Sequence, residues 1–390
     1  MMKTVAVLCF ENPFNKPSDG AKNDMKTRIL ALSSIKNCCI DVYAFNKPEE
    51  NEAEINNAEY GIRYFFQYKV RNATPQSIVS RYPLSVYKRY SKDCATELQK
   101  HEYDVIIYEG EHMSSYRLNG DTNARRHVIR QHDIESNYRH ELAKSAKGIH
   151  RKIAQELEAR KYKRLERNIN TYFDTFLFIS KDEKEVFDNI FIDTKERFKF
   201  MPPSALHFAE KAVLGDKEHS ILYFGNMELQ NNFLSILWFT QNVFPTILNS
   251  VPDAKLRIIG RIADEDKEKL IQGTNNVEVL GYVEDLNREI QEASFIAAPV
   301  LYGAGVKVKV IDALSYGQIV CATSKTVEGT ELLDGVHLIV RDDPVELSKK
   351  CIDILCSREK YQHLAVEGLQ FVKSYHSIEY QATILQEEIQ

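Results

Sequence analysis

No C-x-x-C pair occurs among the seven cysteines, Cys9, Cys38, Cys39, Cys94, Cys321, Cys351 and Cys356. They are odd in number and mostly sit in apolar runs, which argues against a disulfide framework or a zinc site and suits reduced, cytoplasmic thiols. Long hydrophobic runs are missing too, since nothing approaches the ~18 uninterrupted apolar residues of a membrane span. Residues 1–10 (MMKTVAVLCF) carry too short an apolar stretch for a secretory leader and run into Glu11 and Asn12, so they read as a buried strand. An excess of positive charge is absent: 51 Lys and Arg stand against 56 Asp and Glu. A net charge of −5 excludes a general nucleic-acid binder, because the phosphate backbone demands a basic surface. Glycine and proline, at 16 and 11, are too few for a collagen-like or disordered chain.

What the chain has is alternation. Short non-alternating runs of Val, Ile, Leu and Phe fall at 4–10, 40–45, 104–108, 127–131 and 175–179. A second series falls at 221–224, 255–259, 277–280, 294–298, 319–322 and 337–340. Such runs predict parallel strands covered on both faces. Helical periodicity intervenes at 24–34, 135–171, 231–248, 264–271, 306–316 and 344–357. The fold class is therefore α/β with open, doubly wound sheets. A length of 390 residues suits two domains. The series pauses at Pro202-Pro203 and the polar stretch to His219, which predicts an interdomain boundary near 200–218. The expected division is 1–200, 201–375, and a terminal helix at 376–390 that packs back on the first domain.

One turn carries most of the chemistry. After the run ending at Ala298 come Gly303-Ala304-Gly305 and then Lys307 and Lys309 at the start of a helix. Two glycines admit a close approach of backbone to ligand. The helix start presents unpaired N–H groups and the positive end of its dipole. Two cations beside that end oppose the dipole unless an anion completes the site. The plain alternative is a glycine-rich turn with solvated lysines. Glu328-Gly329 marks a further turn after the next strand, and three such turns at strand ends are harder to assign to packing.

The pattern Gly303-Ala-Gly-x-Lys-x-Lys-x-x-Asp312-Ala-Leu-x-x-Gly317, followed by Glu328-Gly329 and Asp342-Asp343, resembles the C-terminal domain of family 4 of the retaining glycosyltransferases. This is the "group 1" set with the GT-B fold, in which two Rossmann-like domains face each other across a cleft. Leu222-Tyr-Phe-Gly225-Asn226 and Gly260-Arg261…Gly281-Tyr282 are similar to its opening glycine loop and nucleotide-side strands. The resemblance spans roughly 220–357, and the N-terminal half agrees loosely through Asp19-Gly20, the Arg130–His132–Glu135 stretch and Ser180-Lys-Asp182. It implies a nucleotide-sugar as donor substrate and no cofactor. Gly303, Ala304, Gly305, Lys307 and Lys309 are then expected around the diphosphate, and Asp312 at the nucleotide ribose. Gly225, Arg261, Tyr282, Glu328 and Gly329 complete the expected donor side. Asp19 and Gly20 lie on the acceptor side, and His132 is expected to reach the donor sugar. The partners implied are a nucleotide-sugar and a glycan or lipid-linked acceptor.

Departures accompany the resemblance. The first glutamate of the family's E-x7-E motif falls at Ala304, and the basic pair often found after the 225 glycine is replaced by Asn226-Met-Glu-Leu. Two alternatives follow: a sugar-nucleotide epimerase of the same architecture, or a non-catalytic partner subunit. For a transferase, fixed cations at the departing diphosphate supply electrostatic catalysis, and losing one comparable donor costs about 3–4 kcal/mol. Lys309 is the candidate for that role beside His132. No metal is expected: Asp264-Glu-Asp266 reads as a helix start and Asp343 as an N-cap. Asp133 and Glu135 are candidates to cap the helix that follows them instead of doing chemistry.

Charge is uneven along the N-terminal half. Residues 61–92 hold seven Lys and Arg and no acid, interleaved with aromatics such as Tyr64, Phe65, Phe66 and Tyr68. Residues 125–167 hold 13 Lys and Arg against six acids. Either these are solvated helices with aromatics packed inward, or they form a face attracted to anionic lipid or a polyanionic glycan. The second option implies a cytoplasmic protein held at the inner face of a membrane.

Overall fold

The computed structural model describes residues 2–16, 20–146, 148–212, 219–272, 276–303 and 305–390. It contains two compact units, Met1–Ser204 with Ile378–Gln390, and Ala205–Ser377.

The first unit is built on strands β1 (Lys3–Cys9), β2 (Cys38–Asn46), β3 (Ile62–Lys69), β4 (Tyr103–Glu109), β5 (Ala124–Gln131), β6 (Thr175–Phe178) and β7 (Phe198–Phe200). They form one sheet in the order β3-β2-β1-β4-β5-β6-β7, and every neighbouring pair is parallel. The second unit holds β8 (Ser220–Phe224), β9 (Lys255–Ile259), β10 (Val277–Gly281), β11 (Phe295–Ala298), β12 (Val320–Ala322) and β13 (Ile339–Val340). Their order is β10-β9-β8-β11-β12-β13, again all parallel. Each sheet reverses its winding once, between β1 and β4 and between β8 and β11. In open α/β sheets, ligands bind at the carboxyl ends of the strands flanking that reversal. The predicted doubly wound α/β class therefore holds for both units.

Several elements differ from the sequence reading. The edge strands β3 and β7 are additional, and β3 (IRYFFQYK) lies within the basic aromatic stretch. Its Phe65, Phe66 and Tyr68 pack against the first core, while Tyr64 stays exposed. A half-covered edge strand has no continuous apolar run, which hid it. The single helix expected over 135–171 is two, Glu135–Ser145 and Ile149–Ile169, broken where Gly148 takes a φ of 91°. The helix expected over 231–248 also divides, into Gln230–Asn242 and Phe244–Ser250, because Pro245 opens a new first turn.

The last helix, Ile378–Ile389, belongs to the first unit, where Leu385 and Ile389 enter the core. Among the described residues no helix is long and apolar enough to cross a membrane.

Candidate functional site

In the second unit, the switch point brings together the turn after β8 and the turn after β11. Gly225 directly follows β8 and donates its N–H to the Ile259 carbonyl at 3.0 Å. Thr323 and Thr326, following β12, donate their hydroxyls to the carbonyls of Val300 and Ala298. These bonds tie the turns after β11 and β12 into one body.

Gly303 and Gly305 adopt φ values of 106° and 75°, which the absence of a Cβ makes accessible. They deliver the chain to a helix, Val308–Ser315, whose N-cap is Lys307 and whose first turn has no side-chain cap. Of its leading N–H groups, those of Val308 and Val310 donate to the Val306 and Lys307 carbonyls at 3.2 and 2.9 Å, and the positive end of the helix dipole faces the turn. The helix itself is fixed by Val310, Ile311, Ala313 and Leu314, all buried in the core. The Lys307 ammonium folds back to the Gly303 carbonyl at 3.4 Å and to that of Gly305. The Lys309 ammonium sits 3.3 Å from Asn232 Oδ1 and 3.4 Å from Tyr223 Oη. It also lies 4.9 Å from the centre of the Tyr223 ring. Among the described residues no carboxylate pairs with it, and burial, then Lys307, pushes its pKa down to about 8. Asp312, one turn further, is half-buried, and burial pushes its carboxyl up to about 7. A cation and a carboxylate are thus both held in environments that disfavour their charge, as expected where a ligand supplies the missing partners.

The remaining donor-side candidates are more dispersed. Arg261 is exposed, and its carbonyl accepts from Met227 at 2.8 Å. Tyr282 is 82% exposed beyond β10. Glu328 pairs with Lys325 at 2.6 Å, and Gly329 beside it is buried. Ala304 and Asp19 lie outside the described residues, while Gly20 begins the helix Gly20–Ser34. Tyr223 and Asn232, which receive Lys309, were not picked out as site residues. The asparagine run Asn226, Asn231 and Asn232 beside a glycine at a strand end was the available signal.

In the first unit, His132 follows β5 and enters a buried charge network. Its Nε2 lies 3.1 Å from Glu109 Oε2 and its Nδ1 3.8 Å from Asp24 Oδ2. Arg130 reaches Asp24 through two bonds of 3.1 Å each. Arg28 bonds Glu109 at 2.9 Å, Asp24 at 2.5 Å and Gln381 of the last helix at 3.1 Å. Burial alone would raise the Asp24 carboxyl, but Arg130, Arg28 and His132 hold it well below the ordinary carboxylate range. Arg28, with two carboxylates, is raised despite burial. Arg130, buried and facing Arg28, falls to about 10. Asp24, Glu109 and His132 each place a ligand-type atom within 4.8 Å of the others. Two guanidiniums already occupy those carboxylates, so a cation placed there would meet strong repulsion. Both ring nitrogens of His132 face these acids, which makes the histidine part of a buried network as well as a residue at a strand end.

Asp133 and Glu135 do not cap the next helix as the sequence suggested. The N-cap is Ile134, without a side-chain bond. Glu183 and Glu166, from other helices, accept instead from the N–H groups of Ile134 at 3.0 Å and Ser136 at 2.8 Å. Glu135 turns to His112 at 3.5 Å and Arg139 at 3.4 Å. Burial raises Glu135 to about 7, while burial, then Arg89, depresses His112 well below its ordinary value. Asp264–Ile271 does form a helix with three acids in its first turn, though its N-cap is Ala263. Asp343 caps its helix as read, accepting from Val345 and Glu346 at 3.0 and 2.9 Å.

Residues 218–357 match the family model described as glycosyl transferases group 1. Over 384 residues the chain is 26% identical to an uncharacterized 44.6 kDa protein in the cps region of Klebsiella pneumoniae, covering 95% of this chain and 96% of that one. The structure resembles HepE of Anabaena, solved in complex with UDP and glucose, with a TM-score of 0.62, 12% identity and coverage of 100% of this chain and 99% of that chain. It also resembles WaaG, a glycosyltransferase involved in lipopolysaccharide biosynthesis, with a TM-score of 0.67, 15% identity and coverage of 97% and 99%. The resemblance drawn from the 303–317 pattern and the GT-B fold it implied are both borne out.

Proposed function

We propose that this chain is a glycosyltransferase that moves a sugar from a nucleotide-sugar to a glycan or glycolipid acceptor, with retention, in the assembly of a surface polysaccharide or lipopolysaccharide. The group 1 match over 218–357 supports the class of reaction. The cps-region relative and WaaG support the setting, and the UDP complex of HepE supports a nucleoside diphosphate donor.

The observation that carries the reading is the Lys309 ammonium, half-buried and, among the described residues, without a counter-anion at the start of Val308–Ser315, which has no side-chain cap. A diphosphate there receives the Lys309 ammonium, the positive end of the helix dipole and, after rotation of its side chain, Lys307. Negative charge grows on that diphosphate as the anomeric bond breaks, so these groups bind the transition state more strongly than the donor. In this reading Asp312, one turn along the helix, accepts from vicinal ribose hydroxyls. The reading requires no metal ion, since two ammonium groups and a helix dipole take the place of one.

The deciding experiment incubates the protein with UDP-, GDP-, ADP- and CMP-sugars and follows melting temperature, then nucleoside diphosphate release with candidate acceptors. A matched nucleotide at ~100 times its dissociation constant raises stability by about 2.7 kcal/mol. Stabilisation together with acceptor-dependent release upholds the proposal. Stabilisation without release under any acceptor favours the partner-subunit reading, which the alanine at 304 makes specific. Interconversion of the sugar on the nucleotide favours the epimerase.

A further inference from the structure

The ammonium of Lys309 is held by two groups that carry no charge. Tyr223 stands on β8 and Asn232 in the first turn of the helix Gln230–Asn242, so the strand and its crossover helix set them side by side. Asn232 Oδ1 lies 3.3 Å from the ammonium and Tyr223 Oη 3.4 Å, with the centre of the Tyr223 ring at 4.9 Å. Both contacts are long, since a charge-assisted bond of this kind runs to ~2.7–2.9 Å. An ammonium has three hydrogens, and these two oxygens are its acceptors among the described residues. The cation is therefore located by its neighbours but not neutralised by them.

The cradle is itself locked. The Asn232 amide nitrogen donates to the Asn226 carbonyl at 2.9 Å, which turns the amide oxygen toward Lys309. The Tyr223 hydroxyl donates to the Asn232 carbonyl at 3.2 Å. With those hydrogens engaged, each side chain offers the ammonium lone pairs alone. Tyr223 is buried, and burial raises its phenol further, so it stays uncharged. The other charged group beside Lys309 is Lys307, which disfavours a second cation and turns its own ammonium back to the Gly303 and Gly305 carbonyls. A carboxylate in the place of either neutral group would form an internal ion pair, and an incoming anion would then have to share the cation with it.

We infer that Asn232 and Tyr223 are positioning residues for the transfer: they aim the Lys309 ammonium at the diphosphate while leaving its charge uncompensated, so that the ligand supplies the counter-ion. This rests on the donor-site reading and deepens it. Two neutral acceptors order the lysine before the ligand arrives, which lowers the ordering cost of binding. Being dipoles and not charges, they leave most of the attraction for the negative charge that grows on the diphosphate.

Two measurements on the full chain test this. In the free protein, the pH dependence of Lys309 acylation, followed by peptide mass mapping, reports the ammonium directly. Its midpoint is expected near 8 in the parent. In Asn232→Asp, where an opposite charge stands beside the ammonium, it is expected about one pH unit higher or more. The second measurement is calorimetry with inorganic pyrophosphate, a base-free probe, arranged as a double-mutant cycle. Asn232→Ala is expected to weaken binding roughly tenfold in the parent and by no more than about twofold in a Lys309→Met background. Tyr223→Phe keeps the buried ring, and with it the fold, and is expected to weaken binding about threefold through the same lysine. An unmoved midpoint in Asn232→Asp overturns the inference. So does a loss in Asn232→Ala that persists without Lys309, because the asparagine would then act on the ligand or the fold directly. Full pyrophosphate affinity in Lys309→Met, with the midpoint still shifted in Asn232→Asp, instead overturns the donor-site reading beneath it.

Discussion

A Cβ placed on Gly260 would fall 1.7 Å from the carbonyl oxygen of Gly225. Gly260 also holds a φ of 132°, so two separate constraints forbid a side chain there. The close approach sets the turn after β8 against the end of β9 and thereby fixes Gly225 at the switch point. Gly260→Ala is expected to cost about 3 kcal/mol or more, since backbone must move as well as rotate. Gly281→Ala is the control: its φ is 68°, but nothing lies within 4 Å of the added carbon. That variant should lose about 1 kcal/mol. Denaturant unfolding of both distinguishes crowding from conformational preference alone.

If the proposed donor site is right, Lys309 makes nucleotide binding depend on pH in a defined direction. Its folded pKa of about 8 lies below the ordinary 10.5 because burial, then Lys307, disfavours the ammonium. Between these values the unfolded chain holds more protons, so stability of the free protein rises with pH across that window. A bound diphosphate favours the ammonium and raises its pKa. Binding at a pH just above 8 should therefore take up a proton, and affinity should decline as pH rises further. Calorimetry in buffers of different ionisation enthalpy measures the uptake. Lys309→Met is expected to abolish it and to weaken nucleoside diphosphate binding by roughly 100-fold, about the loss of one charged donor. An unchanged uptake in that variant would place the anion elsewhere.

Asp312 reverses the sign. Burial lifts its carboxyl from 3.8 to about 7, so the folded protein holds the extra proton across that range. Stability of the free protein should accordingly fall as pH rises through the window. Asp312→Asn removes this half-buried, disfavoured charge. At pH 8 the variant is expected to be more stable than the parent by about 1–2 kcal/mol, and near pH 4 to match it. If the carboxylate receives ribose hydroxyls, the same variant binds a nucleoside diphosphate roughly tenfold more weakly while its affinity for inorganic pyrophosphate stays constant. Equal weakening of both ligands would remove the ribose assignment.

What could be read in the sequence was what the chain expresses locally. The Gly303–Lys309 turn is contiguous, so glycines, cations and helix start were visible together, as were the buried strands with uninterrupted apolar runs. The edge strand β3 was not, because Arg63 and Gln67 share it with aromatics that are only half covered. Gly148 stood in plain view within the long helical stretch, yet a lone glycine is tolerated in many helices, so the break there needed the fold to reveal it. The charge network was least legible. Arg28 meets Glu109 across 81 positions, and Asp24 meets Arg130 across 106. Each of these residues looks like a solvated surface charge until the sheet brings β1, β4 and β5 side by side.

The same network decides what His132 does. Asp24→Ala leaves Arg130 and Arg28 buried with one carboxylate fewer, and is expected to cost about 3–5 kcal/mol. The Asp24 and Glu109 carboxyls are held below their ordinary values by the guanidiniums. Their contribution is therefore present above the unfolded carboxylate range and is lost as pH falls through the folded values, so the parent should unfold in acid where the Asp24→Ala variant gains nothing further. His132→Gln keeps an amide donor for Glu109 at nearly the same reach. If the imidazole only satisfies Glu109, the glutamine variant retains both stability and turnover. If the ring also meets the donor sugar, stability stays within about 1 kcal/mol while kcat falls by at least 100-fold. A loss of stability equal to that of Asp24→Ala, with turnover per folded molecule unchanged, would make His132 a structural residue and move the catalytic burden wholly to the diphosphate side.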